Sequence, residues 1–294
     1  MKLGLGTVQF GLDYGVANPG GRTSEDEVRR ILAAAADGGI EVVDTAAAYG
    51  EAEAVLGRCL QRPSPFRIVT KTRPLRERSD GSTAGHWIQS GFVRSLERLG
   101  MDRVDALLVH HVADLLGPEG RDLASVLADL NSSGRAGKIG LSTYGGAEVD
   151  AALAVHDFDL LQLPLNVLDQ RLVAGGKLRQ LRQRGIEVHV RSVFLQGLLL
   201  MQPSSVPAYF APIRSQLGAW HSALETRGMT PLEGAFAFVR ALDVDVVLVG
   251  VDNALQLAAN QAAFAAAANC DLDFAAFAVD DEAFINPSRW QLAE

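Results

Sequence analysis

The chain predicts a (β/α)8 (TIM) barrel in the α/β class, on three observations. Eight short apolar or β-branched runs alternate with longer segments of helical period, the order of parallel strands joined by helical crossovers. The runs are apolar without strict alternation, as expected for strands covered on both faces. The length, 294 residues, is close to the ~250 that such barrels use as one domain. A doubly wound open sheet needs the same apolar parallel strands; the count of eight favours the barrel.

The strands are expected at Leu3–Thr7, Glu41–Thr45, Phe66–Lys71, Val104–His110, Ile139–Thr143, Leu160–Leu163, Glu187–Arg191 and Asp245–Gly250. The first helix opens at Ser24, a capping serine followed by Glu25, Asp26 and Glu27, and closes at Gly38-Gly39. Phe92–Leu99 sets Phe92, Leu96 and Leu99 on one face against Arg94, Glu97 and Arg98. Leu123–Leu130, Glu148–Val155, Lys177–Gln183, Pro231–Ala241 and Ala254–Ala267 complete the helices. Leu195–Ala219, with Pro203, Pro207 and Pro212, reads as an irregular loop over one mouth. One domain spans 1–294, with a core from about 3 to 268. The tail, 269–294, carries Phe274, Phe277, Phe284 and Trp290 and is expected to fold back over the C-terminal face.

Composition narrows the function. A net charge of −8 argues against a phosphate-backbone binder, so no nucleic-acid partner is expected. No apolar stretch approaches the ~20 residues of a membrane span. Met1-Lys2 leads into Gly4, Gly6, Thr7 and Gln9 without a signal-peptide core. Cys59 and Cys270 form no metal or disulfide spacing, which suits a reducing compartment and a cytoplasmic protein. The expected state is a monomer or weak homo-oligomer.

In such barrels, chemistry comes from the C-terminal ends of strands. Asp44 ends the second strand, with Tyr49 beyond it before Gly50. Lys71 ends the third, His110 the fourth and Ser142 the fifth, and Gln162 lies at the end of the sixth. Lysine occurs four times against 23 arginines, so a lysine ending an apolar strand is less readily dismissed as surface decoration. Each residue alone has a plain structural reading: a turn cap, a snorkelling lysine, a packing tyrosine. Together they make a coherent proton donor. A tyrosine hydroxyl, with an ordinary pKa of ~10, is a poor acid at neutral pH. A neighbouring ammonium lowers that value, a carboxylate holds the ammonium, and an imidazole hydrogen-bonds the same substrate oxygen. This arrangement protonates a carbonyl oxygen as hydride arrives at carbon, and it needs a hydride source.

His110-His111 does not read as a metal site, because successive strand side chains point to opposite faces. Gly4-Leu5-Gly6 fails as a dinucleotide fingerprint, since the next glycine, Gly11, falls too late. The turn Gly250-Val251-Asp252-Asn253 admits two readings. It is either a backbone-lined phosphate site at a helix N-terminus or an ordinary turn capped by Asp252 or Asn253.

Four segments resemble the aldo-keto reductase superfamily. Asp44-Thr45-Ala46-Ala47-Ala48-Tyr49-Gly50, with Glu53 and Leu56-Gly57, is similar to its D-T-A-x-x-Y-G-x-x-E-x-x-x-G motif. Ser95-Leu96-Glu97-Arg98-Leu99-Gly100 and Val104 to His110 resemble S-L-x-R-L-G and D-x-x-L-x-H. Gly137-Lys138-Ile139-Gly140-Leu141-Ser142 resembles a shortened G-K-I-R-x-I-G-V-S, and Gln162 to Asn166 resembles Q-x-x-Y/L-N. The likeness runs in order from Leu3 to about Asn260.

The resemblance implies carbonyl reduction or alcohol oxidation without metal, on a small-molecule carbonyl substrate, with NADPH as hydride carrier and NADH as the other option. By position, Tyr49 is the general acid, Lys71 its neighbour, Asp44 the group that holds Lys71, and His110 the group that orients the carbonyl. Thr7 and Asp44 join the coenzyme residues. Ser142 and Gln162 meet the carboxamide, Ser192, Phe194 and Gly197 the pyrophosphate, and Gly250, Asn253, Gln256 and Asn260 the adenosine end. The substrate wall is assigned to Phe10, Tyr14 and His111, with Phe194, Tyr209, Trp220 and Trp290 as further aromatic candidates. Thr143 stands where the family usually has Asn, and Gly250 and Gln256 bring no cation to a 2′-phosphate. Two other classes are a coenzyme-binding sensor with little turnover and a Schiff-base enzyme built on Lys71.

Overall fold

Five strand-end groups of the barrel each follow, by two residues, a side chain that fills the barrel interior. Val42, Val69, Ala106, Leu108, Leu160, Val246 and Leu248 form one buried cluster. Two residues after members of it come Asp44, Lys71, His110, Gln162 and Gly250. Strand side chains alternate faces, so these positions lie on the inward face one layer nearer the C-terminal mouth.

The computed structural model describes residues 1–18, 20–267 and 270–292. Its strands are β1 Lys2–Gly6, β2 Val42–Asp44, β3 Arg67–Lys71, β4 Val104–Val109, β5 Ala136–Ser142, β6 Leu160–Pro164, β7 Glu187–Arg191 and β8 Val246–Gly250. All neighbours are parallel, and the sheet closes as β1 pairs with both β2 and β8. The register sets Gly6 beside both Asp44 and Gly250, and Ser142 beside Gln162. The predicted closed barrel is therefore the observed fold, with β7 as expected and the other strand ends shifted by at most three residues.

The helices cover the outward faces, and the second, larger hydrophobic cluster lies between barrel and helices. They are α1 Glu25–Asp37, α2 Ala52–Cys59, α3 Ala84–Leu99, α4 Gly120–Ser132, α5 Gly146–Leu153, α6 Lys177–Gln183, α7 Arg214–Glu225, α8 Pro231–Arg240 and α9 Ala254–Ala266. The Ser24 hydroxyl accepts from Glu27 N at the start of α1, and Gly38 and Gly39 end it. The helix read as Phe92–Leu99 begins earlier, at Ala84, with the Thr83 hydroxyl accepting from His86 N.

The stretch expected to be irregular, Leu195–Ala219, is partly helical. Three 3-10 turns lead into α7, which starts just beyond Pro212. Leu217, Trp220 and Leu224 lie at helical spacing and are buried, a period that the run of prolines obscured.

The tail does fold back. Val279 N donates to Leu168 O (2.8 Å), Gln170 Nε2 to Phe274 O (2.6 Å) and Tyr209 Oη to Ala283 O (2.8 Å). Arg171 pairs with Glu282. The tail thus docks on the segments that follow β6 and β7. Its expected first residue, 269, lies outside the described residues.

Candidate active site

The Tyr49 segment owes its position to two glycines and a buried carboxylate. A Cβ on Gly11 would lie 1.9 Å from Tyr49 O, so only glycine lets the turn after β1 press against this loop. Gly50 has φ +55°, and a Cβ there would lie 2.5 Å from Gly11 O. Just beyond, buried Glu53 accepts from Thr70 Oγ1 (2.6 Å) and from Arg98 Nη2 (2.6 Å). Two of the sequence motifs therefore meet in space: the glutamate of the first ties α2 to β3 and to the arginine of the second.

At the mouth, Lys71 Nζ donates to Asp44 Oδ2 (2.6 Å), to Thr45 O (2.9 Å) and to Tyr49 Oη (3.5 Å). Lys71 and Asp44 are both buried. Gln162 Nε2 donates to the other carboxylate oxygen, Asp44 Oδ1 (2.7 Å), and Thr7 Oγ1 to Asp44 O (2.9 Å). Each carboxylate oxygen thus has a donor, as a buried charge requires. The His110 ring meets the Tyr49 ring edge-on at 5.8 Å, and its backbone N donates to Thr72 Oγ1. His110 Nδ1 is buried without a partner, which leaves a hydrogen bond for a ligand to make.

The electrostatics depart from the expected acid. Burial, and then the Asp44 carboxylate, push the Tyr49 hydroxyl above its ordinary range, and Arg191 opposes them. Lys71 was expected to lower that value. Its charge is instead committed to Asp44 at 2.6 Å, nearly an ångström closer than the phenol. Burial lowers the Lys71 pKa in turn, against the pull of Asp44. Burial, with Lys71 next, pushes His110 down to about 2, so its imidazole is neutral.

Asp44, Tyr49 and His110, with Lys71 buried behind them, line a cavity of about 480 Å3, within the ~300–1,000 Å3 typical of ligand sites. It runs from Tyr49, His110 and His111 past Ser142, Ser192, Phe194 and Gly197 to Gly250, Gln256 and Asn260. Thr7, Asp44 and Tyr14 also line it; burial raises the Tyr14 hydroxyl to about 12.

Several expected site residues lie elsewhere. Phe10, assigned to the substrate wall, is fully buried in the core because it faces inward from a short helical turn; its neighbour Gln9 lines the cavity. Asn253 is the cap of α9, its Oδ1 accepting from Gln256 N (2.9 Å), while Asp252 faces the cavity. Gln162 is fully buried behind Asp44. Tyr209 and Trp290 pack with the tail and Phe210, and Trp220 is fully buried against Phe277. His110 and His111 stack at 4.7 Å instead of diverging, because β4 ends at Val109. No cluster of three metal-ligating side chains occurs among the described residues.

The sequence reading missed Arg191 and Tyr144, which also line the cavity. The strand-end rule that found Lys71 could have found Arg191, the last residue of β7. Missed too was the backbone beyond it: Ser192, Leu195 and Gln196 have φ of 61°, 48° and 56°. Left-handed non-glycine residues cost free energy and cluster at functional sites. Buried Asn166 holds this turn, its Nδ2 donating to Ser192 O (3.1 Å).

The sequence pattern of the Aldo/keto reductase family matches residues 2–275. The chain belongs to this family. The aldo-keto reductase YhdN of Bacillus subtilis is 26% identical over 178 residues, 58% of this chain and 52% of that protein. The chain thus spans about half the length of that relative. A D-threo-aldose 1-dehydrogenase from a Pseudomonas species is 29% identical over 226 residues, covering 64% of this chain and 67% of its own. A Pseudomonas aeruginosa crystal structure, described as that of a candidate aldo-keto reductase, superposes with a TM-score of 0.68. It is 28% identical and covers 90% of each chain. No helix among the described residues is long and apolar enough to cross a membrane.

Proposed function

We propose that this aldo-keto reductase interconverts a carbonyl (aldehyde, ketone or sugar) and its alcohol, using NADPH or NADH and Tyr49 as proton donor. The observation that carries the reading is buried Lys71 Nζ bridging Asp44 Oδ2 and Tyr49 Oη, both of which line the cavity, with neutral His110 beside the phenol. The name of the Pseudomonas relative supports an aldose as one substrate class.

The cavity fits a dinucleotide. Its lining carries polar groups from Tyr49 to Asn260, and Gly250 lets the Gln9 side chain pack beside it, since a Cβ there would meet Gln9 Oε1 at 2.6 Å. Ser142 would hold the carboxamide, the Ser192–Gly197 backbone the pyrophosphate, and Gly250, Gln256 and Asn260 the adenosine. Asp252 and Gln256 bring no cation to that end, so the charge pattern does not favour a 2′-phosphate.

When bound, the nicotinamide exchanges a hydride with the carbonyl carbon. Tyr49 Oη gives its proton to the carbonyl oxygen, and a neutral His110 N–H holds the same oxygen. The phenolate left behind is stabilised by Lys71 and Arg191 until solvent returns the proton. Asp44 keeps Lys71 in place, and Gln162 and Thr7 keep Asp44 in place. The same reading takes the chain as one domain, monomeric or weakly self-associating, in the cytoplasm; both cysteines are free.

Tyr49→Phe is expected to cut single-turnover reduction of a reactive aldehyde by ~100-fold or more, with coenzyme affinity nearly unchanged. Tryptophan quenching by NADPH and NADH reads that affinity. Equal rates in the two proteins would remove Tyr49 as the acid. Binding without any turnover in the wild type would favour a sensor.

A further inference from the structure

The end of the cavity formed by β8 and α9 carries a carboxylate where an anion-binding site would need a cation. Asp252 lines the cavity there, with Gly250, Gln256 and Asn260. Asp252 and Gln256 hold each other: Asp252 N donates to Gln256 Oε1 (2.8 Å), and Gln256 Nε2 donates to Asp252 Oδ2 (3.1 Å). Among the described residues, Asp252 Oδ1 accepts no hydrogen bond and the carboxylate has no ion-pair partner. It therefore keeps acceptor capacity for a ligand that brings donors.

The backbone amides that could attract a phosphate at this end are largely taken. The first N–H groups of a helix are its usual anion-binding feature. At the start of α9, Glu27 reaches across from α1, and its Oε1 accepts from Ala254 N (2.8 Å). Asn253 Oδ1 accepts from Gln256 N (2.9 Å). The bond from Ala254 is the chief reason that the Glu27 carboxyl is held below its ordinary range, so a second ionised carboxylate sits at this helix start. The arginines on the adjoining segments are engaged elsewhere. Arg30 Nε donates to Glu27 Oε2 (2.8 Å). Thr23 Oγ1 donates to Asp252 O (3.4 Å), but the residue before it, Arg22, pairs with Glu51 (3.4 Å).

Resting on the oxidoreductase reading above, we propose that Asp252 is the coenzyme-specificity determinant and that it selects NADH over NADPH. The two coenzymes differ only in the phosphate on the adenosine 2′-oxygen. Without it, the ribose offers two O–H donors, which suit an ionised, acceptor-only carboxylate. With it, the same place receives acceptor oxygens and close to two negative charges, next to Asp252 and Glu27. A missing cation would merely withhold help from NADPH. A carboxylate with a free oxygen makes the two coenzymes unequal in both directions, by binding the diol and by repelling the phosphate.

The test is equilibrium titration with NADH and with NADPH, followed by tryptophan quenching, in wild type, Asp252→Asn, Asp252→Arg and Glu27→Gln. Wild type is expected to bind NADH about tenfold or more tightly than NADPH. The ratio falls toward one in Asp252→Asn, inverts in Asp252→Arg and falls by less in Glu27→Gln. It also shrinks as KCl is raised, because salt screens the repulsion. Both affinities are read in the same protein, so a partly unfolded variant lowers both and leaves the ratio. Equal affinities in wild type, or a preference for NADPH, overturn the proposal. So does an NADH preference that survives intact in Asp252→Asn. Each of those outcomes leaves the oxidoreductase reading standing, whereas binding of neither coenzyme by wild type removes that reading and the inference with it.

Discussion

Tyr49 keeps its proton in this cavity because burial and Asp44 both work against the phenolate. The sign of the pH dependence follows. Reduction needs the phenol, whose pKa lies above the ordinary ~10, so from about pH 6 to pH 9 this group stays protonated. His110, pushed down to about 2, stays neutral over the same range. Reduction is expected to be flat across this window, and alcohol oxidation, which needs the phenolate, to rise with pH. Stopped-flow rates in both directions check this. A reduction rate that falls with an apparent pKa near 7 would restore the expectation that Lys71 acidifies Tyr49. Asp44, Tyr49, Lys71 and His110 were legible one by one, because each stands at or just beyond a strand end with a chemistry-bearing side chain. The proton affinity of Tyr49 was not legible. It depends on how deeply the fold buries the phenol and how near it brings the Asp44 carboxylate, and no spacing in a sequence encodes that.

At the scale of elements, α2 and α3 are held at contact distance by a missing side chain. A Cβ on Gly57 would lie 2.0 Å from Arg98 O, a backbone atom with no rotamer to yield. Gly57→Ala is expected to destabilise the protein by ~1–3 kcal/mol, the usual range for overpacking. Urea unfolding measures it, and an unchanged midpoint would show that the two helices slide apart freely. The same pair carries the Glu53–Arg98 contact just beyond the Tyr49 loop. Residues 195–219 show where element reading failed. Prolines mark breaks in a chain, but α7 begins immediately after the last of them and buries Leu217, Trp220 and Leu224. Phe10 and Trp220 failed for a related reason. An aromatic side chain near a mouth serves equally well as wall or core, and only the packing around it decides.

At the scale of the whole molecule, the two ends of the barrel do different work. The C-terminal mouth holds the catalytic candidates, whereas the N-terminal end carries ion pairs such as Lys2–Glu41, Lys138–Glu187 and Arg182–Asp245. Glu187 accepts from His189 Nε2 (2.9 Å) and from Lys138, and these bonds push its carboxyl down to about 2. A folded pKa below the unfolded value of ~4.3 means that this group's contribution is complete above that pH. It is lost as pH falls toward about 2. Denaturant midpoints measured from about pH 6 to pH 2.5 are expected to fall less steeply in Glu187→Gln than in wild type. Parallel curves would place the acid sensitivity elsewhere.

Eight apolar runs alternating with segments of helical period determined the barrel, because burying apolar faces forces strands and helices into layers whatever the details of contact. The same patterning set which residues reach the mouth, since inward positions are counted from the interior cluster. Tertiary structure alone decided which of these groups touch. It put Gln162 on Asp44 rather than in the cavity, gave Asn253 to a helix cap, and stacked His110 on His111. It also laid Arg191 over the Tyr144 ring. The physical reason is one of range. Burial periodicity is written along the chain, whereas a hydrogen bond or a shifted pKa depends on ångström distances between residues as far apart as Asp44 and Gln162.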